Sequence, residues 1–262
     1  MTYIIGFLFY PSLLILGLIV GSFLNVCIWR IPRGESIVLP ASHCPKCAMP
    51  LKYYDNIPVL SYLLLRGRCR GCGQRISWQY PLVEALTALL FLAVGWRFGP
   101  TWPLIPYLAF TGSLIVISII DIEHLIIPDI ISLPGIALGF LISLFPFMRT
   151  RPLDSLIGIL ACGGCFFLIA VASKWIWKRE GLGGGDIKLI AMIAAFTGWQ
   201  GGVVTIFWAS LMGSLWGGFL ILIKKKGRKD VIPFGPFLCL GGMISLIFGP
   251  EMIRWYQNLM RL

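Results

Sequence analysis

The sequence predicts an all-α polytopic membrane protein of about eight transmembrane helices, with one small polar insertion between helices 1 and 2. Three observations lead there. Hydrophobic residues make up 58% of the 262 positions and charged residues only 13%. With a mean hydropathy of +0.86, the chain is far too apolar for a water-soluble domain. Apolar runs recur from end to end at the roughly 20-residue length that crosses a hydrocarbon core. Long polar sequence is confined to residues 28–80.

The spans are expected at about 4–27, 81–98, 103–121, 130–148, 154–176, 186–199, 202–223 and 232–250. The first is retained: Met1-Thr2-Tyr3-Ile4 offers neither a basic n-region nor a small-residue cleavage site. Three organisational units follow: 1–27 as the first span, 28–80 as a cytoplasmic metal-binding unit, and 81–262 as the remaining transmembrane core. The formal charge of +11 reads as topology, and no nucleic-acid partner is expected. Segments 28–80, 174–188 and 224–230 carry 8, 4 and 5 Lys and Arg residues, 17 of the 22. By the positive-inside rule these face the cytoplasm, and both termini face the other compartment. Spans of this kind make membrane lipid an obligate partner.

The insertion opens with Trp29-Arg30-Ile31-Pro32-Arg33-Gly34-Glu35. It contains Cys44-Pro45-Lys46-Cys47 and Cys69-Arg70-Gly71-Cys72. Two such knuckles supply the four thiolates of a tetrahedral structural zinc site, with a short strand hairpin between them, which predicts a zinc-ribbon-like unit. Paired disulfides are the competing reading, and a reducing cytosol disfavours them. His43 adjoins Cys44 but is not needed in a four-sulfur shell. Cys162 and Cys165 lie inside an apolar helix, where small residues serve close packing, as does the Gly17-xxx-Gly21 spacing.

Two carboxylates interrupt apolar sequence. Asp186 follows the run Gly181-Leu182-Gly183-Gly184-Gly185, and Asp121 ends Val116–Ile120. An acid at the mouth of a membrane helix is costly and is by default a functional candidate, although Asp is also a favoured helix cap. On the topology above both lie near cytoplasmic helix ends. Two carboxylates brought close share one proton, so one activates water while the other polarises a carbonyl. Nearby, Asp129 is expected to cap the fourth helix, and Glu123 and His124 to be solvated loop residues. Lys188 either biases the Asp pair or snorkels to the interface. Glu84, four residues into the second span, is either a helix-start carboxylate or a ligand-holding group.

The combination resembles the bacterial type IV prepilin peptidases, bifunctional leader peptidases and N-methyltransferases of GxGD aspartic-protease type. The likeness runs through Gly21–Val26, Arg30-Ile31-Pro32-Arg33, both cysteine pairs and Tyr80-Pro81-Leu82-Val83-Glu84. It continues through Asp121–Asp129, Gly183–Lys188 and Ile232-Pro233-Phe234-Gly235-Pro236. Gln79 departs from it, standing where many relatives have Arg. The resemblance implies that Asp121 and Asp186 are the catalytic pair. It also implies cleavage of prepilin and pseudopilin leaders after a glycine, on the cytoplasmic side of the bacterial inner membrane. Methylation of the new N-terminal residue, usually Phe, by S-adenosylmethionine would follow.

No strand–GxGxxG–helix arrangement is present to hold that donor. Asn25, Asp55, Asn56 and Glu84, polar positions where the 28–80 unit meets the membrane, are the candidates for cofactor binding. Three other readings compete, one of them a non-enzymatic membrane anchor for the zinc-ribbon module, which would leave the two spaced carboxylates unexplained. A preflagellin-type peptidase without methylation is disfavoured by the large insertion. A proton-coupled transporter using the two Asp residues is disfavoured by the lack of an inverted repeat of broken helices.

Overall fold

The computed structural model describes residues 2–44, 46–50, 53–177, 182–223 and 232–260. Helices α1 (Thr2–Arg30), α2 (Leu60–Leu64), α3 (Gln79–Phe98), α4 (Leu104–His124), α5 (Asp129–Ser143), α6 (Pro152–Trp177), α7 (Gly184–Leu222) and α8 (Gly235–Leu259) follow in order. No strand occurs among the described residues. Six helices are long and apolar enough to cross a membrane, and α5 is a shorter apolar one. Lys178, Arg179, Gly181 and the basic segment 224–230 lie outside the described residues.

The chain divides into two compact units, Met1–Val116 and Ile117–Leu262, with the division inside α4. In the first, α1 lies directly on α3. A methyl group on Gly17 would sit 2.5 Å from Ala88 Cα, and one on Gly21 would sit 2.7 Å from Glu84 Cα. The Gly-xxx-Gly spacing therefore lets two backbones touch where dispersion contacts are the main attraction in lipid. Stacking of Phe98 on Tyr107, 4.3 Å between ring centroids, closes the short connection from α3 to α4.

The second unit is built around the first arm of α7. Leu189, Ile190, Met192, Ile193, Ala194 and Ala195 are wholly buried. Surrounding helices meet this arm with glycines: Gly139 of α5 faces Ala195 and Phe196, Gly163 of α6 faces Ala191, and Gly242 of α8 faces Ile193.

The arms expected at 186–199 and 202–223 are two helices within the continuous α7 segment, meeting at a kink at Gly198, where φ is 76° and ψ 175°. A Cβ on Gly202 would lie 3.2 Å from that of Ala194, eight residues earlier. A straight helix separates such residues by about 12 Å. The reversal strands carbonyl groups that water cannot reach. Thr150 and Ser155 hydroxyls donate to Phe196 and Ala195 carbonyls at 2.6 and 2.9 Å, and Ser245 donates to Gly201 O at 2.9 Å. Polar residues beside the break thus replace the missing helix ladder.

Candidate active site and metal centre

Asp121 and Asp186 both lie in the second unit, each as the continuation of a buried apolar stripe. Along α4, Tyr107, Phe110, Leu114 and Ile117 advance by three or four residues, and Asp121 is the next step. Along α7, Asp186 precedes Leu189, Ile190 and Ile193 in the same spacing. The stripes explain the burial: Asp121 is 5% exposed and Asp186 9%.

Each carboxylate is held by one backbone amide. Gly235 N–H, at the start of α8, donates to Asp121 Oδ2 at 3.0 Å. Gly183 N–H donates to Asp186 Oδ2 at 3.3 Å. Gly183 is the N-cap of α7 and Asp186 its third helical residue, so Asp186 reaches back over the first turn. The two carboxylates lie close enough to interact electrostatically with each other. With one amide apiece, most of their acceptor capacity is left for water or substrate.

Several expectations for the neighbouring residues change. The cap of α5 is Pro128, and Asp129 is the first helical residue, making no cap. Its carboxylate instead takes both hydrogen bonds of Lys188 Nζ, at 2.7 and 2.8 Å. Lys188 is thereby a tie between α5 and α7, with its charge already partnered. Glu123 and His124 form the last turn of α4 and contact one another at 3.9 Å, so they are not loop residues. The same packing gives Gly185 its reason: a Cβ there would lie 2.8 Å from Ile127 Cβ. The segment between Asp121 and Asp129 thus seats directly on the residue before Asp186.

In the first unit the four knuckle cysteines converge. Their sulfurs all lie within 4.8 Å of one another, with Cys44–Cys72 at 3.9 Å and Cys47–Cys69 at 4.0 Å. A tetrahedron of Zn–S bonds of about 2.3 Å has edges of about 3.8 Å, so the spacing fits zinc. All four are free thiols, and such separations exclude disulfides. The amides of Cys47 and Lys46 point at the Cys44 sulfur and bring its pKa down to about 6. Against the pull of the Met49 amide, desolvation and the surrounding thiols push Cys47 up to about 11. Four thiolates gathered this closely would carry negative charge that a divalent cation neutralises. His43 turns away and pairs with Ala41 O. Among the described residues, the expected hairpin between the knuckles is replaced by a 3₁₀ turn at Tyr53–Asn56 and the short α2, with isolated bridges at His43–Pro50 and Arg68–Arg75.

The four polar candidates near this unit have definite partners. Asn25 donates to Tyr80 O at 3.1 Å. Glu84, 7% exposed, accepts from Val59 N at 2.7 Å and from the Ser22 hydroxyl. Val59 has φ of 60°, an outlier for a β-branched residue, so Glu84 clamps a strained turn. Asp55 holds the Arg70 guanidinium at 2.8 Å. Asn56 lines a cavity of about 330 Å³ beside α1, together with Ser22, Phe23 and Arg30. Sequence reasoning missed the Gly235 amide as the partner of Asp121. It stood inside a quoted motif, but only tertiary placement reveals what it faces.

Two family profiles match the chain: the bacterial peptidase A24 N-terminal domain over residues 15–98, and the type IV leader peptidase family over 108–218. Among curated proteins, the chain is similar to a prepilin leader peptidase/N-methyltransferase of Pseudomonas putida. The two are 36% identical over 91% of this chain and 90% of the relative. A protein of the same name from Aeromonas hydrophila is 36% identical over 95% of this chain and 94% of its own length. One from Bacillus subtilis (strain 168) is 37% identical over 93% and 96%. No solved structure matches the chain.

Proposed function

Since the chain belongs to the type IV leader peptidase family, we propose that Asp121 and Asp186 are its hydrolytic pair and that residues 28–80 serve its methyl transfer. The protein is a multi-pass inner-membrane enzyme that removes the leader of prepilins and N-methylates the exposed residue. The observation that carries the hydrolytic assignment is the juxtaposition of two buried carboxylates, each with a single backbone donor.

The pair holds one proton between its members, and the titration belongs to the pair. The ionised carboxylate takes a proton from water as the water oxygen adds to the scissile carbonyl carbon. The protonated carboxylate gives its proton to the carbonyl oxygen. Collapse breaks the C–N bond, a proton passes to the departing amine, and the pair returns to its shared-proton state. The Gly235 and Gly183 amides keep both carboxylates oriented throughout. We place the site at the cytoplasmic face, and include pseudopilins among the substrates, by the charge distribution and the family likeness.

Zinc on Cys44, Cys47, Cys69 and Cys72 folds the insertion and has no open position for chemistry. S-adenosylmethionine supplies the methyl group when bound. Asn25 serves it by tying α1 to the start of α3 at Tyr80, Glu84 by tying α3 to Val59 of the insertion, Asp55 by holding Arg70 within the insertion, and Asn56 by lining the cavity. The test is incubation of purified protein with a synthetic prepilin and labelled S-adenosylmethionine, following both mass changes. Loss of the leader with an unmodified new terminus would refute the methyl-transfer half. An intact leader would refute the hydrolytic half.

A further inference from the structure

Three leucines of the short α2 share one side of that helix and lie open: Leu60, Leu63 and Leu64 are 57%, 61% and 82% exposed. A contiguous apolar face on an otherwise polar insertion marks a surface that meets something apolar.

The packing of α2 fixes its depth. With 20 residues, α3 rises about 30 Å, the thickness of the hydrocarbon core, so none of its length is spare. Glu84, five residues beyond the start of α3, accepts from Val59 N–H at 2.7 Å. Val59 immediately precedes α2, so α2 begins about 8 Å inside the end of the span. On the other side, Asn56 and Pro58 line the cavity together with Ser22 and Phe23 of α1, which are also span residues. The turn between them satisfies its backbone without water: the Ser61 hydroxyl donates to Tyr54 O at 2.7 Å and accepts from Ile57 N–H at 3.1 Å. Non-helical chain at membrane depth needs such internal partners. Since α2 is only about 8 Å long, its leucines stay close to the boundary between acyl chains and headgroups.

Two further features identify the occupant of this face. Trp78, Leu82, Leu86 and Leu89 are exposed at steps of three or four residues, the lipid-facing line of α3. The Trp78 ring meets Tyr62 of α2 at 5.2 Å between centroids, so α2 borders that line. Arg66, Arg68, Arg70 and Arg75 follow α2, all exposed, and no acidic residue occurs from Ile57 to Val83. Asp55 holds Arg70, and among the described residues no carboxylate pairs with the other three. Leucines with a basic edge suit acyl chains beneath anionic headgroups.

We propose that α2 is an interfacial membrane anchor. Leu60, Leu63 and Leu64 enter the leaflet beside α3, Trp78 sits at its boundary, and Arg66, Arg68 and Arg75 meet the headgroups of anionic phospholipids. The four-cysteine insertion is thereby held on the membrane surface, in an arrangement that neither hydrolysis nor methyl transfer requires.

The probe is a photoreactive benzoylphenylalanine in place of Leu64, in full-length protein reconstituted into nanodiscs of phosphatidylglycerol. Illumination should add one phospholipid mass to the peptide containing position 64. In a second arm, tryptic cleavage of the unaltered protein after Arg66 and Arg68 is timed in phosphatidylglycerol and in phosphatidylcholine nanodiscs. Cleavage should be at least about fivefold slower in the anionic lipid, the worth of one arginine at such a surface. Leu63→Gln combined with Leu64→Gln should remove most of that protection, and free glycerol phosphate, which lacks acyl chains, should not restore it. Both main arms leave the core of the chain unaltered, so misfolding accounts for neither result. A position-64 adduct to a second copy of the chain, or no adduct at all, would overturn the anchor. Equal cleavage rates in the two lipids would overturn it as well.

Discussion

Gly185→Ala isolates positioning from chemistry at the Asp pair. The added methyl would sit 2.8 Å from Ile127 Cβ, where ordinary contact begins at 3.4 Å, so the two backbones must part by 0.6 Å. Ile127 belongs to the segment joining Asp121 to α5, and Gly185 immediately precedes Asp186. The displacement therefore falls directly on the spacing of the two carboxylates. A misplacement of about 1 Å at a reacting centre costs about 10²-fold, so a loss of roughly 10- to 100-fold in kcat is expected. KM for prepilin should change little, because neither side chain need touch the leader. Ile127→Gly removes the opposing Cβ, and in combination with Gly185→Ala it should recover most of the lost rate. The assay is initial-rate cleavage of a synthetic prepilin in detergent, with thermal unfolding as the control for insertion and folding. Cleavage by Gly185→Ala within twofold of wild type, or no recovery in the double variant, would refute this account of the glycine.

Asp121→Asn and Asp186→Asn keep the size of the side chain and an acceptor for the Gly235 or Gly183 amide, and should reduce cleavage by more than about 10³-fold, or about 4 kcal/mol. Both should still methylate a trimmed peptide beginning with Phe; loss of that activity in a folded variant would argue for a single shared centre. Cys47→Ser should release the metal and lower the protease resistance of residues 28–80, as elemental analysis and limited proteolysis would show, since structural zinc is part of the folding energy. Gly198→Ala places a side chain at φ of 76° and ψ of 175°, a region nearly closed to L-residues, and should destabilise by about 1–3 kcal/mol in a denaturation titration.

The four-cysteine cluster was the most legible feature because its information is local. Each knuckle places two sulfurs through its own turn, and only one long-range closure is needed to bring 44–47 to 69–72. The carboxylates were legible for another reason: an acid at a stripe position of an apolar helix has no role in packing. Their partners were not legible, because the Gly235 amide meets Asp121 across 114 residues of chain and leaves no periodic trace. The break near Gly198 was legible as the gap between 199 and 202, but the packing of Gly202 back onto Ala194 was not. Asp129 misled because its residue type suits a cap. Pro128, with its fixed φ, took that position and freed the carboxylate for Lys188.

The depth of the two acids follows from competing costs. A carboxylate in mid-span would be neutral at most pH values and could not activate water. One fully in water would lose the strengthened field that a low-dielectric site gives to a shared proton. At the last turn of α4 and the first turn of α7, each acid keeps a backbone N–H within reach while its stripe neighbours exclude solvent from the other side. A helix start offers unsatisfied N–H groups without any cost to the helix ladder. This explains why both holding amides, Gly235 and Gly183, come from the beginnings of helices, and why both are glycines. A Cβ on Gly235 would lie 2.6 Å from Asp121 Oδ2, so only a residue without a side chain lets α8 begin against the carboxylate it orients. A Cβ on Gly183 would stand 3.3 Å from Asp186 Oδ2, a tighter approach than most Cβ atoms make. The glycines around the acids are therefore contact surfaces for charge as well as points of chain reversal. Their replacement should damage cleavage before it damages the fold.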